Sequence, residues 1–139
     1  MQDDGVRGLD EKTEKRLILQ ARRAAKKAYA PFSGVKVGAA ILTADGRVFP
    51  GCNVENSSYG LSICAERTAA VKAVSAGAKS FKAVAVVSNL EGLTYPCGAC
   101  RQFLNEFGQK MIVIVASPKD EVARHLLSDL LPESFLLKK

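Results

Sequence analysis

Apolar positions in this chain switch between two periods. From Glu11 to about Tyr29, Leu17, Ala21, Ala24, Ala25 and Ala28 recur at helical spacing, and Asp10 stands where an N-cap is needed. Val35–Thr43 and Arg47–Val54 read as strands joined by Ala44-Asp45-Gly46-Arg47, a turn with an Asp-Gly hairpin signal. Ile63–Gly77 returns to helical spacing through Ala65, Ala69, Ala73 and Ala76, with Gly77 as the stop. Phe81–Asn89 is apolar and β-branched and reads as a central strand. Cys97–Phe107, ended by Gly108, reads as a helix, and Met111–Ala116 as another buried strand. Glu121–Leu127 fits either a short strand or a helical turn. Alternating strands and helices after a hairpin predict a mixed sheet in an α/β fold, with helices on both faces.

Composition narrows this picture only slightly. A chain of 139 residues that is 47% hydrophobic and 24% charged suits one domain over 1–139 with a substantial core. Met1–Leu9 is expected to be a loose tail. No apolar run has the length of a membrane span, so no membrane is expected. The polar, acidic start does not read as a secretion leader, and the four cysteines are expected to be reduced, in the cytoplasm. The net charge of +6 raises the question of nucleic acid. Arg16, Arg22, Arg23, Lys26 and Lys27 fall on the polar face of the first helix. There is no Trp, and the few Tyr and Phe are not interleaved with the basic run. These cations read as a solvated face, and nucleic acid is not the expected partner.

The chemistry concentrates in Cys64-Ala65-Glu66 and, further on, Pro96-Cys97-Gly98-Ala99-Cys100. Three thiolates hold a Zn²⁺ and leave its fourth position open, which distinguishes a catalytic zinc from a structural one. A carboxylate close to the first thiol is then placed to move protons for water at that position. Cys-x-Glu followed by Pro-Cys-x-x-Cys is the general signature of zinc-dependent deaminases, whose Glu is not a ligand. All three cysteines fall in first helical turns, where free N–H groups and the helix dipole favour thiolates. Three thiolates leave the site net negative. Arg67, one turn after Cys64, is the candidate to offset that charge. Cys52 lacks the ligand spacing and reads as a buried structural cysteine. His125, the lone histidine, is expected to be structural or exposed.

Nearly the whole chain resembles the small, homotetrameric cytidine deaminases. The resemblance runs through Tyr29-Ala30-Pro31-Phe32-Ser33, Val37-Gly38-Ala39-Ala40, Gly51-Cys52-Asn53-Val54-Glu55-Asn56, Cys64-Ala65-Glu66-Arg67-Thr68, Pro96–Arg101 and Leu130-Leu131-Pro132. It implies a three-layer α/β/α sandwich on a five-stranded sheet and one Zn²⁺ per chain, on Cys64, Cys97 and Cys100. It further implies hydrolytic deamination of cytidine or deoxycytidine, in pyrimidine salvage. Glu66 would move protons between water, ring N3 and the leaving amino group. Asn53 and Glu55 would hold sugar hydroxyls, and Ala65 would meet the base through its backbone. Ser57, Tyr59 and Phe135 would reach a neighbouring subunit's site.

Two departures from the family pattern stand out. Val35 occupies a position where relatives often place an aromatic against the pyrimidine, leaving Phe32 as the nearby candidate for that contact. Leu136 follows Phe135 where relatives commonly have Gly. Rival readings are a deaminase of a modified cytosine nucleoside or of single-stranded RNA, a structural zinc module, and a Cys-x-x-Cys redox protein. The last two give Glu66 no task.

Overall fold

The computed structural model describes residues 8–137, so most of the expected N-terminal tail lies outside the described residues. Leu9, its last residue, packs half-buried against the core.

Helix α1 spans Glu11–Ala25, and the Asp10 carboxylate caps it by accepting from the Thr13 N–H at 2.7 Å. The helix ends four residues before the periodicity runs out. Beyond Ala28 a tertiary pairing takes over, because the Tyr29 N–H donates to Asn53 O at 3.0 Å and Tyr29 bridges Val54. Helical spacing of alanines carries too little energy to resist that pairing. The expected solvated basic face also needs correction at Arg22. Its guanidinium donates to the Ser117 carbonyl at 3.0 Å and pairs with Asp120 at 3.0 Å.

The strands are β1 (Val37–Thr43), β2 (Val48–Cys52), β3 (Phe81–Ser88), β4 (Ile112–Ala116) and β5 (Val122–Leu126). They form a five-stranded sheet ordered β2-β1-β3-β4-β5. Only the β3–β4 pair is parallel. The ambiguous Glu121–Leu127 stretch thus resolves as an edge strand, followed by the short helix α4 (Leu127–Leu130).

Alternation along the strands sorts side chains into two cores. Ala40, Ala83, Ala85, Val87, Ile112 and Ile114 pack with Leu17 and Ala21 of α1. Ala39, Ile41, Val84, Val86, Val113 and Val115 pack under α2 (Ala65–Ser75) and α3 (Gly98–Asn105). This is the expected α/β/α sandwich. A fully buried Leu or Val contributes about 1.5–3 kcal/mol, so the two apolar layers dominate the stability of the fold.

Two glycines set how closely the layers approach. A Cβ on Gly38 would lie 1.9 Å from Ala21 O in α1, and one on Gly51 would lie 2.4 Å from Ala69 N in α2. No L side chain fits at such distances, so the helix backbones sit directly on the sheet.

The topology also positions the chemistry. β2 and β3 flank β1, and each runs antiparallel to it, so they point the same way. The segments leaving their C-terminal ends lead into α2 and α3. Both helices therefore begin at one sheet edge.

Candidate active site

Cys64 is the N-cap of α2 and Cys97 the N-cap of α3, while Cys100 lies in the first turn of α3. No side chain caps either helix start, so their first N–H groups remain available. The three Sγ atoms lie within 4.8 Å of one another, and those of Cys64 and Cys97 are 3.9 Å apart. Tetrahedral zinc–sulfur bonds of about 2.3 Å require sulfur separations of about 3.8 Å. The cluster is thus close to the spacing that zinc needs.

Its electrostatics suit a cation. The Cys64 thiol is held down to about 5, first by a hydrogen bond from the Cys100 thiol and further by Arg67 and Cys97. Cys100 is pushed upward, because Cys64 takes the thiolate role and because it is buried. The pair shares a proton that a divalent cation would displace. Arg67 Nη2 donates to Cys64 Sγ at 3.6 Å, as the sequence suggested, and its buried Nε has no hydrogen-bond partner. The donor set, its spacing and the adjacent guanidinium fit a zinc ion with three protein ligands and one open position.

Glu66 lies in the first turn of α2 and is buried. Burial, reinforced by the Cys64 charge, pushes its carboxyl up to about 7. Such a group is suited both to accept and to return a proton. Above it opens a cleft of about 290 Å³, lined by residues that include Val35, Asn53, Glu55, Cys64, Ala65, Glu66 and Cys97.

Asn53 and Glu55 reach the cleft with their polar groups already engaged. Asn53 Oδ1 accepts from the Val37 N–H at 2.8 Å, and Nδ2 donates to Val35 O at 2.8 Å. Glu55 Oε1 accepts from the Phe32 and Ser33 N–H groups at 2.9 and 3.2 Å, and Oε2 accepts from the Ser33 hydroxyl. Both residues therefore brace the 31–37 segment that walls the cleft.

Phe32 does not join the cleft lining. Its backbone is fixed by Glu55, and its ring packs edge-on against Tyr59, centroids 6.0 Å apart. Val35 lines the cleft in its place, just ahead of the first β1 residue rather than within the strand. Tyr59, 74% exposed, and Phe135, 65% exposed, project to solvent and are not among the lining residues; nor is Ser57. Cys52 ends β2 outside the thiol cluster and is half-buried rather than buried.

Sequence reasoning passed over Thr94 and Tyr95, which line the cleft beside Cys97. Their position immediately before Pro96-Cys97 is the signal that could have found them. The Tyr95 hydroxyl lies 3.2 Å from His125 Nε2, which gives the lone histidine a place on β5, among residues other than the metal cluster. Arg101 was also missed as a brace. It donates to Pro96 O at 2.8 Å and to Leu130 O at 2.9 Å, tying the ligand loop to α4.

Comparison with known proteins finds relatives over most of the chain. The family model for the cytidine and deoxycytidylate deaminase zinc-binding region matches residues 11–116. A cytidine deaminase from Sporosarcina psychrophila is 47% identical over 121 residues, 86% of this chain and 89% of its own. A probable cytidine deaminase from Dictyostelium discoideum is 50% identical over 116 residues, 83% of this chain and 78% of its own. The crystal structure of cytidine deaminase from Burkholderia pseudomallei superposes with a TM-score of 0.84 at 49% identity, covering 87% of this chain and 98% of that one. With the three thiols and Glu66 at paired helix starts, the chain belongs to the cytidine and deoxycytidylate deaminase family.

Proposed function

We propose that this protein is a zinc-dependent hydrolase that converts cytidine and deoxycytidine, with water, to uridine and deoxyuridine plus ammonia, as a salvage enzyme of the cytoplasm. The observation that carries this reading is the cluster of three thiol sulfurs within 4.8 Å of one another, with the buried Glu66 on the helix that Cys64 caps. A redox pair needs neither the third thiol nor the carboxylate, and a structural zinc site would normally have four protein ligands.

Cys64, Cys97 and Cys100 would hold the zinc, which would supply Lewis acidity and acidify the attacking water. Glu66 takes a proton from the attacking water and delivers it to ring N3. Oxygen bonds to C4, and Glu66 then takes the second water proton, now on the C4 hydroxyl, and passes it to the amino group; C4=O forms as the C4–N bond breaks and ammonia leaves. Arg67 offsets the negative charge that three thiolates bring. Ala65 presents backbone to the base, Val35 offers it apolar surface, and Asn53 and Glu55 orient the sugar. Asn53 and Glu55 do this while holding the 31–37 wall, so their effect on substrate is partly one of shaping the cleft.

The working form is a homotetramer in this reading. Ser57, Tyr59 and Phe135 then serve a neighbouring subunit's cleft, which accounts for two large aromatic side chains standing in solvent on the single chain. Among the described residues, no helix is long and apolar enough to cross a membrane.

The test is ultraviolet absorbance of zinc-loaded protein mixed with cytidine, with Glu66→Ala as control. Conversion of the cytidine spectrum to that of uridine, absent in the control, is the expected result. No conversion by protein holding one zinc per chain would overturn the substrate assignment. Comparison of deoxycytidine, free cytosine and cytidylate then defines which parts of the substrate the cleft requires.

A further inference from the structure

A second cavity, of about 370 Å³, opens where α1 crosses the C-terminal ends of β3 and β4. Its apolar floor is Ala25, Val87 and Pro118, and Arg22, Lys26 and Lys36 bring cations to it. This volume falls within the range of about 300–1,000 Å³ usual for small-molecule sites.

The charges are not equivalent. Arg22 is already committed to Ser117 O and to Asp120. Lys26 and Lys36 make no ion pair among the described residues. Ser117 also lines the cavity and is only 3% exposed. Its hydroxyl oxygen accepts from the Lys119 and Glu121 N–H groups at 3.2 and 3.0 Å, yet its own proton has no acceptor among the described residues. A buried hydroxyl donor without an acceptor, beside two unpaired ammonium groups and above an apolar floor, matches an anion with an apolar body. A carboxylate would satisfy one lysine. A phosphate monoester, with three acceptor oxygens and nearly two charges, can engage both lysines and the hydroxyl together.

This cavity and the catalytic cleft are lined by different residues, but two of those residues link them. Lys36 sits between Val35 and Val37, which line the cleft, and Ser88 of the cavity hydrogen-bonds Thr94 of the cleft at 2.5 Å. The Lys36 backbone is further locked to Asn89, another cavity residue, by the Asn89 side chain at 2.9 Å and its N–H at 3.0 Å. A ligand that draws in Lys36 therefore acts on a segment that shapes the substrate wall.

We infer that the Lys26–Lys36–Ser117 cavity is an effector site for a small organic phosphate of the nucleoside monophosphate class. Lysines and hydroxyl hold the phosphate, while Ala25, Val87 and Pro118 carry the body of the ligand. Binding is coupled to the catalytic cleft through Lys36 and the Ser88–Thr94 hydrogen bond. The site stands on its own residues; only its readout through turnover rests on the deaminase reading.

The experiment uses the zinc-loaded full chain and three probes: uridine 5′-monophosphate, inorganic phosphate and uridine. Calorimetry gives affinity, hydrogen exchange gives location, and cytidine turnover is followed with and without each probe. The nucleotide is expected to bind about tenfold or more tightly than inorganic phosphate and to protect residues 22–36 and 117–118. It is expected to shift the cytidine KM about fivefold or more, within the usual span of coupling energies. Lys26→Glu is expected to lose that binding and that shift while keeping the basal cytidine turnover of the parent protein. Since Lys26 is an exposed side chain, unchanged turnover also reports that the variant is folded. The inference is overturned by undiminished nucleotide binding to Lys26→Glu, by protection confined to residues 53–66 and 94–97, by equal affinity for inorganic phosphate, or by an unmoved KM. Failure of the deaminase reading shows separately, as absence of cytidine turnover before any phosphate is added.

Discussion

The Arg67 guanidinium donates through Nη2 to Cys64 Sγ at 3.6 Å, one helical turn after the cysteine at the N-cap position of the same helix. A formal count explains why a cation belongs there: three thiolates on a dication leave a net charge of −1. Delocalising part of one sulfur's charge onto Arg67 restores Lewis acidity at the open position. Arg67→Ala is expected to weaken zinc by about 10–100-fold, the usual cost of losing such a support. Arg67→Lys should fall between, because a lysine keeps the charge and loses the planar fork. Competition with a chelator measures the affinity and cytidine turnover the consequence. Unchanged values for both in Arg67→Ala would make the residue a bystander.

A second ion pair carries stability rather than chemistry. Arg124 of β5 donates through Nε and Nη2 to the two carboxylate oxygens of Glu14 on α1, and both side chains are largely buried. Removing one partner breaks a largely buried ion pair in a low-dielectric layer, at a cost of about 3–5 kcal/mol. Glu14→Ala should lower the unfolding free energy by that amount in urea titration. Glu14→Leu combined with Arg124→Met should recover most of it, because two apolar side chains need no partner. Both proteins should keep cytidine turnover at temperatures where they are folded, since neither residue lines the cleft.

The chemistry was legible because it is local. Cys64-x-Glu66 and Cys97-x-x-Cys100 each fit within one helical turn, so spacing alone told what they could hold. The nearly continuous apolar runs of β1, β3 and β4 likewise announced the sheet, because each strand buries both faces under helices. What escaped was decided by contacts distant in sequence. The end of α1 depends on the pairing of Tyr29 with Asn53, and the solvent face of α1 lost Arg22 to Ser117. Phe32 turned to Tyr59 because Glu55 fixes its backbone. No periodicity encodes such choices. Thr94 and Tyr95 carry no motif of their own, and their place just before Pro96-Cys97 is the one sign in the sequence that they face the cleft.

Glu55 separates two roles that the geometry superimposes. Its carboxylate is held below the ordinary carboxylate range, first by the Ser33 hydroxyl and then by the Phe32 and Ser33 N–H groups. A depressed value means that its bracing of the 31–37 segment is complete above the ordinary carboxylate range. The contribution is lost as pH falls through the lowered value. If Glu55 also meets the sugar, Glu55→Gln removes a charged acceptor from the substrate. Cytidine KM should then rise about tenfold or more, with kcat changed less. If it only braces, the affinity for nucleoside should stay near normal, and the variant should resemble the parent protein at low pH. Initial-rate kinetics at two pH values distinguish these outcomes.

Gly51 and Gly38 offer a matched pair, because both clash with helix backbone and only one clash lies under the catalytic helix. A Cβ at position 51 would lie 2.4 Å from Ala69 N and 2.8 Å from Ala65 O, which no side-chain rotation relieves. The helix must shift, and it carries Cys64 and Glu66 with it. A Cβ at position 38 meets Ala21 O at 1.9 Å and displaces α1 on the opposite face. Both alanine variants should lose stability, by about 1–3 kcal/mol or more. Beyond that shared loss their effects should diverge. A misplacement of about 1 Å in a catalytic group costs on the order of 100-fold in rate, so Gly51→Ala should lose zinc affinity and kcat while still folded. Gly38→Ala, at a temperature where it is folded, should bind zinc and turn over cytidine close to the parent rate. Chelator competition, thermal melting and kcat on the two proteins test this. Equal loss of kcat in both would mean that α1 and α2 are coupled through the sheet, and that the alignment of Glu66 with the thiols depends on both helix layers.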